Sequence, residues 1–383
     1  SITNVKLFKY AAVQTEIPII KNYFSLMFLI GIVGLSCSSD SDTTDTPLTE
    51  IPVPTNLYFP PAQSADWETV SPSQLDWNTD TESNLRNFLD EKNTKAFIIV
   101  KNGRIAVEWY FDDHTQNTSW YWASAGKTLT AFTVGIAQEE NFLDINDKTS
   151  DYLGQGWTST PAEKENLITV WHQLTMTSGM NDSQFDCVTP ECLTYVADAG
   201  SRWAYHNGPY TLLQKVVSNA TEMEWNEYFN AKIRDKIGMD GFWLSTNNLN
   251  NVYFSTARSM ARFGILNLNN GVWNGESLLA DAMFKNSMRN TSQSLNEAYG
   301  YLWWLNGKDS YRVPAFQTEF QGNLVPNAPS DAFFGLGRDD QKLYVVPSLE
   351  LVVVRMGEDS GEALLGPSSF DNELWEFLNN YMQ

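Results

Sequence analysis

Two strand-forming stretches lie near opposite ends of this chain and restrict its topology more than any other feature. The first is Ala96-Phe97-Ile98-Ile99-Val100-Lys101-Asn102-Gly103-Arg104-Ile105-Ala106-Val107-Glu108-Trp109-Tyr110. It consists of two β-rich runs joined by Asn-Gly, the dipeptide best suited to a tight hairpin. The second stretch sets residues 342–347 against residues 349–356 across a proline-containing turn. Between them, composition and apolar spacing predict helices over 124–140 and around 208–220, 222–237 and 255–268, and an amphipathic helix near 369–382 closes the chain. Strands at both ends with helices between them predict a mixed α/β (α+β) domain. Its sheet joins the N- and C-terminal segments, and a helical lobe is inserted in the middle.

Of the 383 residues, 42% are hydrophobic and 19% charged, an ordinary globular balance. There are 46 Asp and Glu against 25 Lys and Arg, a formal net charge of −21. Such a surface repels nucleic acid, itself a polyanion. Aromatic residues reach 13%, including 14 Trp, which suits wide apolar pockets or a cleft that stacks flat groups.

Lys21-Asn22 followed by the apolar run 23–36 reads as a signal peptide. The run is too short to cross a hydrocarbon core of ~30 Å. Cys37 comes directly after it and precedes Ser38-Ser39-Asp40, the layout of a bacterial lipoprotein junction, so Cys37 is expected to carry lipid. An ordinary cleaved signal would leave it a bystander. Residues 1–37 are thus an upstream extension and signal peptide. Residues 38–62, rich in Ser, Asp, Thr and Pro, form a flexible tether, and 63–383 form the folded domain. The expected location is the cell envelope, with membrane contact only through the lipid, or else the periplasm or medium. Cys187 and Cys192 bracket Val188-Thr189-Pro190-Glu191, a small loop that an oxidising compartment closes as a disulfide. Two free thiols are the alternative. Zinc would need further ligands, and His114, His172 and His206 form no ligand-spaced pair.

The chemistry starts at Trp122-Ala123-Ser124-Ala125-Gly126-Lys127-Thr128. Ser-x-x-Lys at a helix start puts hydroxyl and amine on one face within mutual reach, and the helix dipole favours negative charge developing on Ser124. A half-buried Lys127 loses its proton more easily than in water and can take that of Ser124. Such a pair alone is weak evidence, because a chain of this size should contain about one by chance. A second motif, Trp203-Ala204-Tyr205-His206-Asn207-Gly208, adds Tyr205 as phenolate or proton shuttle, its pKa lowered by the Lys127 cation, and Asn207 as a substrate hydrogen-bonding group. The other Tyr-x-Asn, Tyr228-Phe229-Asn230, lies in an amphipathic stretch and reads as packing.

With these motifs, residues 90–383 resemble the serine β-lactamase and penicillin-binding-protein superfamily. The branch is that of class C-type β-lactamases, family VIII carboxylesterases and 6-aminohexanoate-dimer hydrolases. Residues 168–180, ending Thr175-Met176-Thr177-Ser178-Gly179-Met180, are similar to a family helix and loop, with Met176 where many members carry His. Tyr299-Gly300-Tyr301-Leu302-Trp303-Trp304 resembles the family Tyr-Gly-x-Gly-Trp segment, with Leu302 replacing the second Gly. The resemblance implies a β-lactamase-like fold with an antiparallel sheet. It also implies an acyl-enzyme on Ser124, a proton relay through Lys127 and Tyr205, and no need of metal or organic cofactor. No Gly-x-Ser-x-Gly elbow supports a Ser-His-Asp alternative.

The family Lys-Thr-Gly element is absent in plain form. Its place falls to Gly335-Leu336-Gly337 or Arg338-Asp339-Asp340, and both stay open. The resemblance implies an oxyanion hole from the backbone amides of Ser124 and Gln341. Arg338 is a candidate for a substrate carboxylate, with a charged surface loop as the alternative. Among Trp120, Trp122, Trp157, Trp203, Trp303 and Trp304, about half are expected in a pocket wall, Trp303 among them. The leading expectation is a serine hydrolase of small esters or linear amides, including 6-aminohexanoate-type oligomers. A β-lactamase or D-Ala-D-Ala peptidase, and an idle binding or sensor protein, are the alternatives.

Overall fold

The computed structural model describes residues 55–245, 250–361 and 366–383. The expected signal peptide, Cys37 and residues 38–54 of the tether lie outside the described residues. The central sheet has six strands, all antiparallel: β1 (Thr94–Lys101), β2 (Arg104–Tyr110), β6 (Trp304–Leu305), β7 (Phe333–Gly337), β8 (Gln341–Val346) and β9 (Leu351–Gly357), in the order β2-β1-β9-β8-β7-β6. A second, three-stranded sheet holds β3 (Trp120–Tyr121), β4 (Phe242–Leu244) and β5 (Val252–Ser255), with β5 in the middle. As expected, the first hairpin pairs with the last strand, so the sheet exists only when both ends of the domain meet.

Asn102 and Gly103 both have positive φ, 49° and 78°, which matches the right-handed twist of the strands they join. Every residue of β8 and β9 is buried, so no polar alternation survives in them. The reason is a layer on each face. Leu343 and Val352 point to helix α4 (Ala257–Leu268), where a methyl on Gly264 would lie 2.4 Å from a Val352 methyl. Tyr344 and Arg355 point the other way, to α5 (Ser369–Tyr381). There Phe88 of α1 (Glu82–Glu91) stacks on Phe370 and Phe377.

The folded body begins before the expected boundary at residue 63. Arg104 donates to Asn56 O at 2.8 Å, and Arg262 donates to Pro60 O and Pro61 O at 3.1 and 3.0 Å. Tyr58 N bonds Asn102 O at 3.0 Å. Two guanidiniums satisfying backbone carbonyls turn the end of the presumed tether into part of the domain. The helix expected at 222–237 runs from Trp225 to Ile237 and widens to a π-helical stretch at Asn230–Arg234.

Lys342, fully buried, donates to Asp371 Oδ2 at 3.0 Å and Gly366 O at 2.8 Å and lies 2.9 Å from Asp340. Asp340 also accepts from Ser368, and Asp371 from Tyr344. This pins the β7–β8 turn to the start of α5. Lys342→Met leaves two carboxylates buried without their cation, and a loss of about 3–5 kcal/mol is expected. Urea unfolding measures it, and an unchanged midpoint would contradict this account.

Candidate active site

Ser124 sits in a 3-10 turn, Ala123–Gly126, that leads into α2 (Lys127–Glu139), so the α-helix itself starts at Lys127, later than the start at residue 124 expected from the sequence. The cause is Ala123, which is held in the left-handed region at φ 47°. That backbone is costly for a residue with a Cβ and persists only where its surroundings impose it. Here Trp122 N bonds Tyr253 O of β5 at 2.8 Å, and Trp122 Nε1 bonds Ser255 Oγ at 2.7 Å. From the other side β7 presses on the turn. A methyl on Gly337 would lie 2.5 Å from Trp122 O and 3.1 Å from Ala125 N, and one on Gly335 3.3 Å from a Thr128 methyl. Of the two stretches left open by the sequence, Gly335-Leu336-Gly337 is the one packed on Ser124's turn.

Lys127 Nζ donates to Ser124 Oγ at 2.8 Å. The Lys127 side chain is 1% exposed, and its nitrogen lies 4.3 Å from the centre of the Tyr210 ring and 4.9 Å from that of Tyr205. Burial lowers the ammonium pKa to about 7, with Asp186 opposing the shift. Tyr205 is buried and hydrogen-bonded to Ser124. Phe185 and Trp304 lie nearly parallel to it at 5.9 and 5.7 Å, and Tyr299 stands edge-on at 6.2 Å. Its backbone is tied down as well, since Ala204 N bonds Met176 O at 2.9 Å and His206 N bonds Met176 Sδ at 3.4 Å. The hydroxyl and amine of one turn therefore meet a phenol from a distant segment.

The phenolate expected at Tyr205 needs correction. Burial pushes the phenol well above its ordinary pKa, and the Ser124 hydrogen bond offsets only part of this. Tyr205 is a neutral donor at neutral pH, and the amine is the group that titrates there.

Asn207 begins α3 (Asn207–Thr221), and its Nδ2 donates to Asp186 Oδ1 at 2.6 Å. Cys187 and Cys192 are joined, Cα atoms 6.1 Å apart, closing the loop that directly follows Phe185 and Asp186. Trp303 is not a pocket wall. It is wholly buried between Phe263 of α4 and Phe333 of β7, at 6.1 and 5.0 Å. Adjacent residues of extended chain point opposite ways, so Trp304 is the one that reaches Tyr205, with Trp203 6.0 Å beyond it. Trp122 is core, Trp157 belongs to a separate cluster with Ile168 and Leu193, and Trp120 bonds Gly357 O.

Gln341 opens β8, one strand beyond the turn, and its side chain is spent on Gly357 O at 2.6 Å and Gly357 N at 3.0 Å. The glycines of β7 pack against the turn that holds Ser124. Arg338 is 54% exposed and lies 3.9 Å from Asp339, as a charged surface turn would have it. Among the described residues, no three of His, Cys, Asp and Glu converge as metal ligands. Sequence reasoning gave no role to Tyr210, Tyr299, Phe185 or Asp186. Tyr299 lay inside a quoted segment and Asp186 beside a quoted cysteine, but neither carries a spacing signal.

A family model described as Beta-lactamase matches residues 83–364. The chain belongs to the beta-lactamase family. Among solved structures, this beta-lactamase-family chain is similar to a candidate 6-aminohexanoate-dimer hydrolase of Bacillus anthracis. That likeness has 20% identity and a TM-score of 0.63, over 85% of this chain and 89% of the other. A candidate beta-lactamase of Bacteroides dorei gives 17% and 0.63, over 80% and 99%. EstCE1, a hydrolase with promiscuous acyltransferase activity, gives 11% and 0.57, over 81% and 99%. At such identities the likeness shows a shared fold. The protein is a hydrolase of the beta-lactamase fold.

Because Gly337 meets backbone atoms of the serine turn, Gly337→Ala must displace that turn. Labelling of Ser124 by a fluorophosphonate is expected to slow by about 10²-fold, as misplacement of about 1 Å can cost. An unaltered labelling rate in this variant would show that β7 does not brace the turn.

Proposed function

We propose that this chain is a serine hydrolase that forms an acyl-enzyme on Ser124 and cleaves small esters or linear amides, including oligomers of the 6-aminohexanoate type. The carrying observation is the 2.8 Å contact between Ser124 Oγ and a buried Lys127 amine that is half neutral near pH 7. Neutral Lys127 takes the Ser124 proton as Oγ bonds the substrate carbonyl carbon, and the carbonyl electron pair moves to oxygen. Amides of Ser124 and of the Gly337 end of β7 stabilise that oxyanion, each worth about 3 kcal/mol. The tetrahedral adduct collapses, and the departing alkoxide or amine receives the Tyr205 proton, which the Lys127 ammonium replaces. Water then repeats the sequence in reverse and frees Ser124.

The preference for esters and linear amides over lactams rests on charge. The β7 residues beside the Ser124 turn are Phe, Gly and Leu, and Arg338 turns to solvent, so among the described residues of this strand and its turn no cation is set for a lactam carboxylate. The Cys187–Cys192 bridge supports the further proposal that the domain works outside the cytoplasm, tethered through Cys37.

Ser124→Ala is expected to abolish turnover of p-nitrophenyl esters, and mass spectrometry of the wild type should find the acyl group on Ser124. A variant that keeps the wild-type rate would sink the proposal, and nitrocefin turnover faster than ester turnover would reverse the substrate ranking. Since the neutral amine is the active form, kcat/KM should rise as pH increases through about 7. A profile flat from pH 5 to about 9 would count against Lys127 as the base.

A further inference from the structure

The segment that carries Tyr205, residues 203–206, belongs to no helix or strand, so no ladder of backbone bonds fixes it. A few separate contacts do so instead. Trp203 O accepts from Gln317 Nε2 at 3.0 Å, and Asn207 N donates to Phe185 O at 3.1 Å. Between these, the residues on either side of Tyr205 are both held by Met176. Ala204 N donates to the Met176 carbonyl at 2.9 Å, and His206 N donates to Met176 Sδ at 3.4 Å. Met176, Ala204 and His206 are all buried. An amide at that depth that loses its acceptor has no water to turn to, so its segment must shift to find another.

Met176 itself occupies a place that suits glycine. It follows the short helix Val170–Leu174, whose end is closed by Thr177 N on His172 O at 2.9 Å, and its φ is 60°. This is the left-handed residue of a helix C-terminal turn, which glycine fills without strain. The turn therefore makes no demand for methionine. What glycine lacks is the thioether, a weak acceptor, and here it receives the amide next to the phenol. We propose that Met176 is a positioning residue of the reaction: its sulfur accepts the His206 amide and so keeps the Tyr205 hydroxyl on Ser124, in place to deliver its proton to the leaving group. It acts through Tyr205 and not on the substrate.

This inference rests on the proton relay of the acyl-enzyme reading above, and the test separates the two. On the full chain, kcat/KM is measured with p-nitrophenyl acetate and with ethyl acetate for wild type, Met176→Leu, Met176→His and Tyr205→Phe. Both esters give the same acyl group, so they differ only in what leaves. p-Nitrophenolate departs without a proton and ethoxide needs one, so a misplaced Tyr205 is felt mainly by the ethyl ester. Leucine keeps the volume and removes the acceptor, whereas histidine sets a ring nitrogen, Nδ1, at the same branch position as Sδ. Met176→Leu should lower the ratio of ethyl to p-nitrophenyl kcat/KM by about 10-fold, less than the roughly 10²-fold that misplacement by about 1 Å can cost. Met176→His should return most of that loss. A role confined to filling the core would slow both esters alike. An unchanged ratio in Met176→Leu, or a ratio as low in folded Met176→His, overturns the inference; melting curves establish that each variant is folded in the assay. Equal slowing of both esters by Tyr205→Phe would instead overturn the relay itself, and the inference with it.

Discussion

An amine enclosed by aromatic rings and lacking a salt-bridge partner among the described residues is the constraint on which the rest of this structure depends. Water is the best solvent for an ammonium, and the faces of Tyr205 and Tyr210 replace only part of that hydration. A side chain as flexible as lysine would leave such a place unless the walls were rigid. Here they are: aromatic side chains from three separate segments, 185, 203–210 and 299–304, pack on one another around it. The cost of burying the amine is met by packing that the fold makes in any case.

The sheet does for the serine what the rings do for the lysine. β7 lies against the Ala123–Gly126 turn because two of its five residues lack side chains. Its turn into β8 is fastened below by Lys342, Asp340 and Asp371, and laterally by Tyr121, whose hydroxyl donates to Asp339 at 2.6 Å. A dry ion cluster is weak evidence for stability as such. Its value here is geometric, since it holds a short strand edge against Ser124, whose preceding residue is strained.

The parts of this arrangement with a local signature were legible in the sequence. Asn-Gly announces its hairpin, and Ser-x-x-Lys and Tyr-x-Asn announce themselves by spacing. Parts that depend on what lies across space were not. Trp303 and Trp304 are indistinguishable as letters, yet one fills the core and the other flanks Tyr205. The phenol's proton affinity was misjudged because it is decided by dehydration, which no neighbouring letter records. Likewise Asn56 to Ala62 read as tether by composition, while their carbonyls are captured by arginines some 40 to 200 positions away.

Pairing of the first hairpin with the final strand has a consequence for biosynthesis. β1 cannot complete its hydrogen bonds until residues 351–357 exist, and the strand that braces Ser124 is itself made late. While the chain is being synthesised, the helical lobe can form locally, but the hydrophobic edge of β1 waits uncovered. A ribosome-bound or prematurely terminated polypeptide therefore has Ser124 and Lys127 without the wall that aligns them. The braced arrangement of Ser124 and Lys127 is complete only with the last seventh or so of translation.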